Sequence, residues 1–335
     1  MWTRQGRLRR SMLVKSKRPI SSGKGKRPEE RTVGELLEDG VIVIDKPSGP
    51  TSHQVTSWVG DMVGARKSAH GGTLDPRVTG VLPVGLGNAV RAMDALHYGT
   101  KAYVGVMRMH GNVDRRRLEE VFKEFTDEIY QTPPMRSAVK RELRTRRIVS
   151  LSLTEISGRD VLFKTDCEAG TYIRSLCVDI GDAIALGAHL QDLRRTRAGE
   201  LTEDDAVSLH DLKDAFEEHK AGNSAALRKM LLPKEVLLAQ MPKIEIKDSA
   251  VDAICHGANL AIPGIVSLDE HIRKGGTVAV MTLSGEGVAL GRPLMDSEEV
   301  MKRSEGFAVD ISRVFMPTGT YARSWGSSAQ ENQQK

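Results

Sequence analysis

The segment HGGTLDPRVTG, residues 70–80, sets one carboxylate, Asp75, among glycines, threonines, a proline and Arg77. Asp-Pro commonly builds a turn, and that is the plain reading. A carboxylate in a loop so dense in backbone-shaping residues is also one that can be presented to a substrate. Attack by an oriented carboxylate divides one hard bond exchange into two easier ones. Inside a pocket it stays ionised only with a cation nearby. GTYIRSL, residues 170–176, offers one. Arg174 falls in the first turn of an apolar-striped helix, where the macrodipole disfavours a cation, and this predicts an anionic partner. From spacing alone an exposed arginine is the plainer alternative.

Such groups need a scaffold, and periodicity outlines it. VIVID, residues 41–45, reads as a buried strand that KPSGP breaks. Val55, Trp58, Val59, Met62 and Val63 then recur at helical spacing, with Thr51 or Ser52 as cap. VLPVGL after the Asp75 loop reads as a strand. KAYVGVMRM, residues 101–109, alternates Ala102, Val104 and Val106 against Tyr103, Met107 and Met109, a two-faced strand. Leu118, Val121, Phe122 and Phe125 mark a helix. IVSLSLTEI and VLFKTDCEA flank SGRD as a hairpin. Ile173, Leu176, Cys177, Ile180 and Ile184 mark a further helix, with Thr171 as its cap. Hairpins mixed with helices predict α+β rather than βαβ architecture. PKEVLLAQMPKIEI, residues 233–246, reads as a linker entering a strand. The runs VSL, TVAVMTL, GVALG and FAVDISRVFM, punctuated by glycines, then predict a small β-barrel.

At 335 residues the chain has room for two domains. Hydrophobic content of 39% and charged content of 28% fit a soluble globular protein. No apolar run nears the roughly 20 residues of a membrane span. Cys167, Cys177 and Cys255 lack metal-type spacing and fit free thiols in a reducing cytoplasm. Residues 1–28 carry ten Lys or Arg and no acid, so with +5 overall the remainder is net −5. This head is poor in apolar residues and reads as a flexible basic arm for a nucleic acid, the alternative being a solubilising tail. The chain thus divides into the arm, 1–33, a main domain, 34–236, a barrel, 241–325, and a disordered tail, 326–335.

Several motifs fail on inspection. GDMVGARKS, residues 60–68, has Arg66 where a phosphate loop needs glycine, and GLGNAV, residues 85–90, lacks the third glycine of a dinucleotide turn. The nine histidines form no HExxH and no pairing with cysteine, so no metal site is expected. No GxSxG elbow is present.

GVIVIDKPSGPTSHQV, HGGTLDPRVTGVLPVGLGNAVR, KAYVGVMRMHG, QTPPMRSAVKRELRTRRI, EAGTYIRSLCVDIG and LQDLRRTRAG follow one another along the chain. Together they closely resemble the TruB-type pseudouridine synthases, and PPMRSAVKR resembles the archaeal and eukaryotic branch that includes dyskerin. HGANLAIPGIVSL, MTLSGEGVALG and RVFMPTGTYARSW resemble a PUA domain, an RNA-binding barrel. Ala69, Val90 and Ala322 stand where relatives more often have Gly, Thr and Pro.

The resemblance implies the pseudouridine synthase fold, a mixed and mainly antiparallel sheet flanked by helices. It implies isomerisation of uridine to pseudouridine without metal or cofactor. The N-glycosidic bond breaks, the uracil turns, and it rejoins the sugar through carbon. By resemblance Asp75 is the nucleophile and Arg174 its partner. Tyr103 stacks on the flipped base and assists proton removal. Tyr172 and Leu193 line the uracil pocket, His70 keeps the base unstacked, and Lys46 and Pro47 support the loop.

Two basic runs bear on RNA. Residues 135–149 supply Arg136, Lys140, Arg141, Arg144, Arg146 and Arg147, and residues 193–197 add Arg194, Arg195 and Arg197. Charge runs are ordinarily solvated faces. Beside the family's substrate-contacting loop the first run reads as phosphate contacts, which position RNA without reading its sequence. The resemblance implies a substrate in the tRNA T-loop, or rRNA uridines chosen by a guide RNA in a box H/ACA particle, or both. Its protein partners would be a small zinc-ribbon-like subunit, a small glycine–arginine-type barrel and a kink-turn-binding ribosomal-type protein. The rival class is a non-catalytic PUA scaffold, which would lack Asp75, Tyr103 or Arg174; all three are present.

Overall fold

In the computed structural model, residues 11–17, 25–133, 140 and 142–323 are described. The VIVID run forms the strand Gly40–Lys46, buried at every position but Asp45. Among the described residues it belongs to an eleven-stranded sheet. The main path of that sheet runs from Ala206–Val207 through Gly40–Lys46, Thr79–Leu86, Ala188–Ala198, Lys101–Met109, Asp160–Cys167 and Arg144–Ser157 to Asp127–Gln131. Most neighbours are antiparallel. Thr79 and Gly80 pair in parallel with Arg194 and Arg195, which brings the end of the Asp75 loop beside the second basic run. The predicted hairpin is Arg144–Ser157 with Asp160–Cys167.

The expected helices form for the expected reasons. Ser52–Val63 begins with a capping box between Thr51 and Gln54, ends at Gly64 in the left-handed region, and buries Val55, Val59 and Val63. Trp58, at the edge of that stripe, stays partly exposed. Ile173–Ala183 buries Ile173, Leu176, Cys177 and Ile180, but Thr171 does not cap it. Tyr172 is the N-cap and contributes no side-chain bond, while the Thr171 hydroxyl donates to the carbonyl of Glu168.

The C-terminal runs pair as a seven-stranded sheet among the described residues. Two expectations need correction here. First, the basic arm is not flexible throughout. Met12–Val14 is the edge strand of the C-terminal sheet, antiparallel to Ser267, Leu268 and Asp269. Lys15 fixes it by donating to the carbonyls of Met301 and Arg303. Lys26 pairs with Glu35, and Arg31 makes a two-point bond with Glu235. Second, the linker is core. Val236, Leu237, Leu238 and Met241 are buried with Val41 and Val81 on one side and Met281, Leu290 and Phe315 on the other, so one apolar cluster spans both sheets. Pro233 is the N-cap of a short 3₁₀ helix, Lys234–Leu238, rather than a loose joint in the chain. The tail, Arg136 and Arg141 lie outside the described residues.

Candidate active site

The loop that carries Asp75 is held almost residue by residue. Arg195 donates to the carbonyl of Gly72 at 3.1 Å. The Ser52 hydroxyl donates to the carbonyl of Leu74 at 2.9 Å and accepts its N–H at 2.8 Å. Lys46 donates to the carbonyls of Pro76 at 2.9 Å and Val78 at 3.0 Å, and to that of its neighbour Pro47. The N–H of Gly49 binds Pro76 as well. Lys46 is 0% exposed, and burial pushes its ammonium down from the usual lysine range, with Asp75 opposing. The backbone-shaping residues therefore serve immobilisation. Gly72 and Gly80 take φ of +93° and +100°, and a side chain at Gly80 would strike the backbone of Arg195.

Asp75 emerges from this frame toward Arg174, whose guanidinium donates to the carboxylate at 2.7 Å. Both side chains remain 52% exposed, so the pair sits at an open surface. Arg174 belongs to the first turn of Ile173–Ala183, as expected. It also borders a groove of about 440 Å³ lined by Tyr130, Leu143 and Val178.

His70 and Arg195 flank the loop. Tyr103 pairs across the sheet with Arg195, whose guanidinium lies against its hydroxyl. Burial raises the Tyr103 hydroxyl and the guanidinium opposes that rise. Arg195 is 1% exposed and also donates to the carbonyl of Val81 at 2.8 Å. His70 ends the short strand Ser68–His70 with its ring edge-on to His53, centroids 4.8 Å apart. Among the described residues neither of its ring nitrogens finds a partner. Burial, with help from His53 and Arg195, pushes its imidazole down to about 4, so it is neutral at pH 7. Leu193 is buried in one apolar cluster with Leu74, Val78 and Ile173, the neighbours of Asp75 and Arg174.

Comparison with known proteins decides the family. The profile of the TruB family pseudouridylate synthase N-terminal domain matches residues 61–173, and the tRNA pseudouridylate synthase B C-terminal domain matches 174–239. A DKCLD domain matches residues 7–56 and a PUA domain residues 242–315. "Probable tRNA pseudouridine synthase B" of Methanopyrus kandleri is 50% identical over 318 residues, 95% of this chain and 94% of the relative. The same-named protein of Pyrococcus horikoshii is 49% identical over 321 residues, 95% and 96% of the two chains. The chain belongs to the TruB family of pseudouridine synthases. Among solved structures it resembles a chain of a Cbf5-Nop10-Gar1 complex, with a TM-score of 0.90 and 46% identity over 94% of this chain and 97% of that one. It also resembles a chain of an H/ACA RNP bound to a substrate RNA containing 2′-deoxyuridine, with a TM-score of 0.87 and 44% identity over 95% and 98%. The α+β domain followed by a PUA domain, expected above, is therefore correct.

For this TruB-family enzyme the basic runs divide in a way the sequence did not reveal. Arg195 is interior, so the expected RNA contact there is corrected: its charge meets Tyr103 and backbone carbonyls. Arg194, one residue earlier on the opposite strand face, makes a two-point bond to Asp45 and a further bond to Glu203. These bonds raise its guanidinium and engage it internally. Lys140 pairs with Glu142 and Arg147 with Asp127, all largely exposed. Exposed pairs are worth only about 0–1 kcal/mol, so phosphate can replace either carboxylate. Arg144 and Arg146 lie on the same strand, with Arg146 beside Gly170. Gln131, which no pattern singled out, holds Tyr172. Its side chain accepts the N–H of Tyr172 at 3.0 Å and donates to its carbonyl at 3.1 Å.

Proposed function

We propose that this pseudouridine synthase isomerises a uridine of the tRNA T-loop, and rRNA uridines within a guide-RNA particle, with Asp75 as nucleophile. The observation that carries the site assignment is the Asp75–Arg174 bond on a loop held by Lys46, Ser52 and Arg195. The uridine leaves its stack at a cost of a few kcal/mol and enters the pocket. The bond from ribose C1′ to N1 breaks and one from C1′ to C5 forms. C5 loses a proton and N1 gains one, so the atoms balance. Arg174 holds the carboxylate in place, and Tyr103 assists removal of the C5 proton, with burial keeping its phenol protonated and Arg195 opposing that. Tyr172 and Leu193 bound the uracil and neutral His70 supports the displaced base. Arg144, Arg146, Arg147 and Lys140 meet phosphates.

The guided reading is supported by full-length likeness to chains from complexes that contain Nop10, Gar1 and H/ACA RNA. The tRNA reading is supported by relatives named for tRNA. A reducing cytoplasm belongs to the same proposal, supported by three free cysteines. No described helix is long and apolar enough to cross a membrane.

The test is pseudouridine mapping after deletion of the gene and return of either the wild type or Asp75→Asn. Loss at the T-loop alone means a tRNA enzyme, and loss at scattered rRNA sites a guided one. Asp75→Asn is expected to restore neither while RNA affinity changes by less than about 1 kcal/mol, since a neutral amide removes no phosphate contact. Restoration by the Asn variant would sink the assignment.

A further inference from the structure

We infer that Gln131 is a positioning residue for the isomerisation, setting Arg174 against Asp75 through the backbone of Tyr172. The inference rests on the role proposed above for that pair. Gln131 ends the strand Asp127–Gln131, which pairs with Arg144–Ser157 at the end of the sheet path. Its side chain turns inward and is 3% exposed. There it meets both backbone groups of a single residue, Tyr172. A carboxamide carries an NH₂ donor group and a carbonyl acceptor side by side, so it engages Tyr172 as a neighbouring strand would.

Tyr172 is the N-cap of Ile173–Ala183, and that helix has no side-chain cap of its own. Its first turn is where a cation is least favoured, yet Arg174 stands there. Tyr172 already gives its carbonyl to the N–H of Leu176, as a helix start requires. The bonds from Gln131 add a second restraint from a different element. Ile173, between Tyr172 and Arg174, is buried in the core. The guanidinium is thus carried on a turn fixed at both ends. On the opposite side Ser52 holds Leu74 in the same two-point manner, immediately before Asp75. Asp75 directly follows, and Arg174 comes two residues after, a residue whose N–H and carbonyl are both taken by one buried side chain. The plain alternative is that Gln131 only stabilises the helix start, which would alter folding and leave turnover of the folded protein unchanged.

The experiment uses the full chain, in excess, added to extract of cells deleted for this gene. That extract supplies RNA and any protein partners, and single-turnover pseudouridine formation is read at the uridines that wild type restores. Gln131→Met keeps side-chain length and removes both bonds. Misplacing a reacting group by about 1 Å costs on the order of 100-fold, so a loss of about 10- to 100-fold in the saturated rate is expected. Half-saturation by chain should stay within about threefold of wild type, because no phosphate contact is removed. Gln131→Glu keeps the acceptor for the Tyr172 N–H and loses the donor, and should fall between the two. Thermal unfolding confirms that each variant is folded. If Gln131→Met is unfolded at assay temperature, Gln131→Glu carries the test with the same expected direction. A saturated rate within about threefold of wild type, a loss confined to half-saturation, or unfolding of both variants would each overturn the inference. Asp75→Asn runs alongside. If it is inactive while the Gln131 variants are normal, only the clamp falls. If it turns over normally, or wild type restores no uridine, the assignment beneath it falls.

Discussion

Arg195 and Tyr103 face each other on adjacent antiparallel strands, guanidinium against hydroxyl, with the same arginine holding the carbonyls of Gly72 and Val81. One buried cation thus joins the tyrosine, the Asp75 loop and the sheet.

Replacing that cation separates its two effects. In Arg195→Met, each carbonyl left unsatisfied costs about 1–3 kcal/mol, offset in part because a buried charge no longer needs desolvating. The fold should survive. The Tyr103 hydroxyl should titrate higher than in wild type, as seen by ultraviolet absorbance in alkali. If Tyr103 transfers the C5 proton, single-turnover rate should drop about 100-fold. An unchanged titration would remove Arg195 from the proposed chemistry.

Thr51 and Ser52 are adjacent hydroxyls with different duties. Thr51→Ala removes the helix cap and should cost about 1 kcal/mol of stability, with little change in rate. Ser52→Ala leaves the cap intact and releases Leu74, beside Asp75. It should cost about 1–3 kcal/mol and lower the single-turnover rate by about tenfold. Urea unfolding paired with rate measurement distinguishes them, and equal rates would contradict the second duty.

His70 makes stability depend on pH with a definite sign. Its folded value of about 4 lies below the ordinary 6.5. Between these values the unfolded chain binds a proton that the folded one lacks, so stability rises with pH across that window and is lost as acid descends through it. The urea midpoint of wild type should therefore fall more steeply than that of His70→Phe between pH 6.5 and 4.5. Proton resonances of the imidazole should titrate well below 6.5; a midpoint near 6.5 would show that the ring is not desolvated.

The Arg31–Glu235 pair, 9% exposed on each side, anchors the segment between the domains, and Glu235 also accepts the N–H of Gly287. Glu235→Ala strands a buried guanidinium at a cost of about 3–5 kcal/mol. Calorimetry should show one transition in wild type and a broadened or split one in the variant. A single unshifted transition would mean that the two sheets do not depend on this pair.

Long periodic segments were legible in the sequence, because burial of one face writes a period into it: Ser52–Val63, Lys101–Met109 and Ile173–Ala183 are examples. Asp75 was legible as a candidate through the glycines around it, while the pairing of Arg174 came from the family resemblance, since spacing alone left an exposed arginine the plainer reading. Four things were not legible. Met12–Val14 is too short for a period and sits among cations, so pairing with a distant strand left no local trace. The segment from Lys234 to Met241 is flanked by Pro233 and Pro242, which gave it the look of a linker, and only its neighbours make it core. Arg194 and Arg195 look equivalent in a run, but successive strand residues point to opposite faces. Knowing which face is inward requires the register with Tyr103. Gln131 gave no signal, since an isolated polar residue shows its burial only when the fold is known.

The pairing of Met12–Val14 with Ser267–Asp269 also imposes an order in time. Met12–Val14 leaves the ribosome well before its partner strand and must wait for it. Its loop can close only after nearly everything between has been made. Closing so long a loop costs little more than closing one of half its length, because that entropy grows only logarithmically. The delay is therefore one of synthesis rather than of energy. During it a head with ten cations is tethered to a growing chain without its edge bonded. A chain cut short before residue 267 would leave Met12–Val14 without its partner strand, so a stop there is felt far back along the chain.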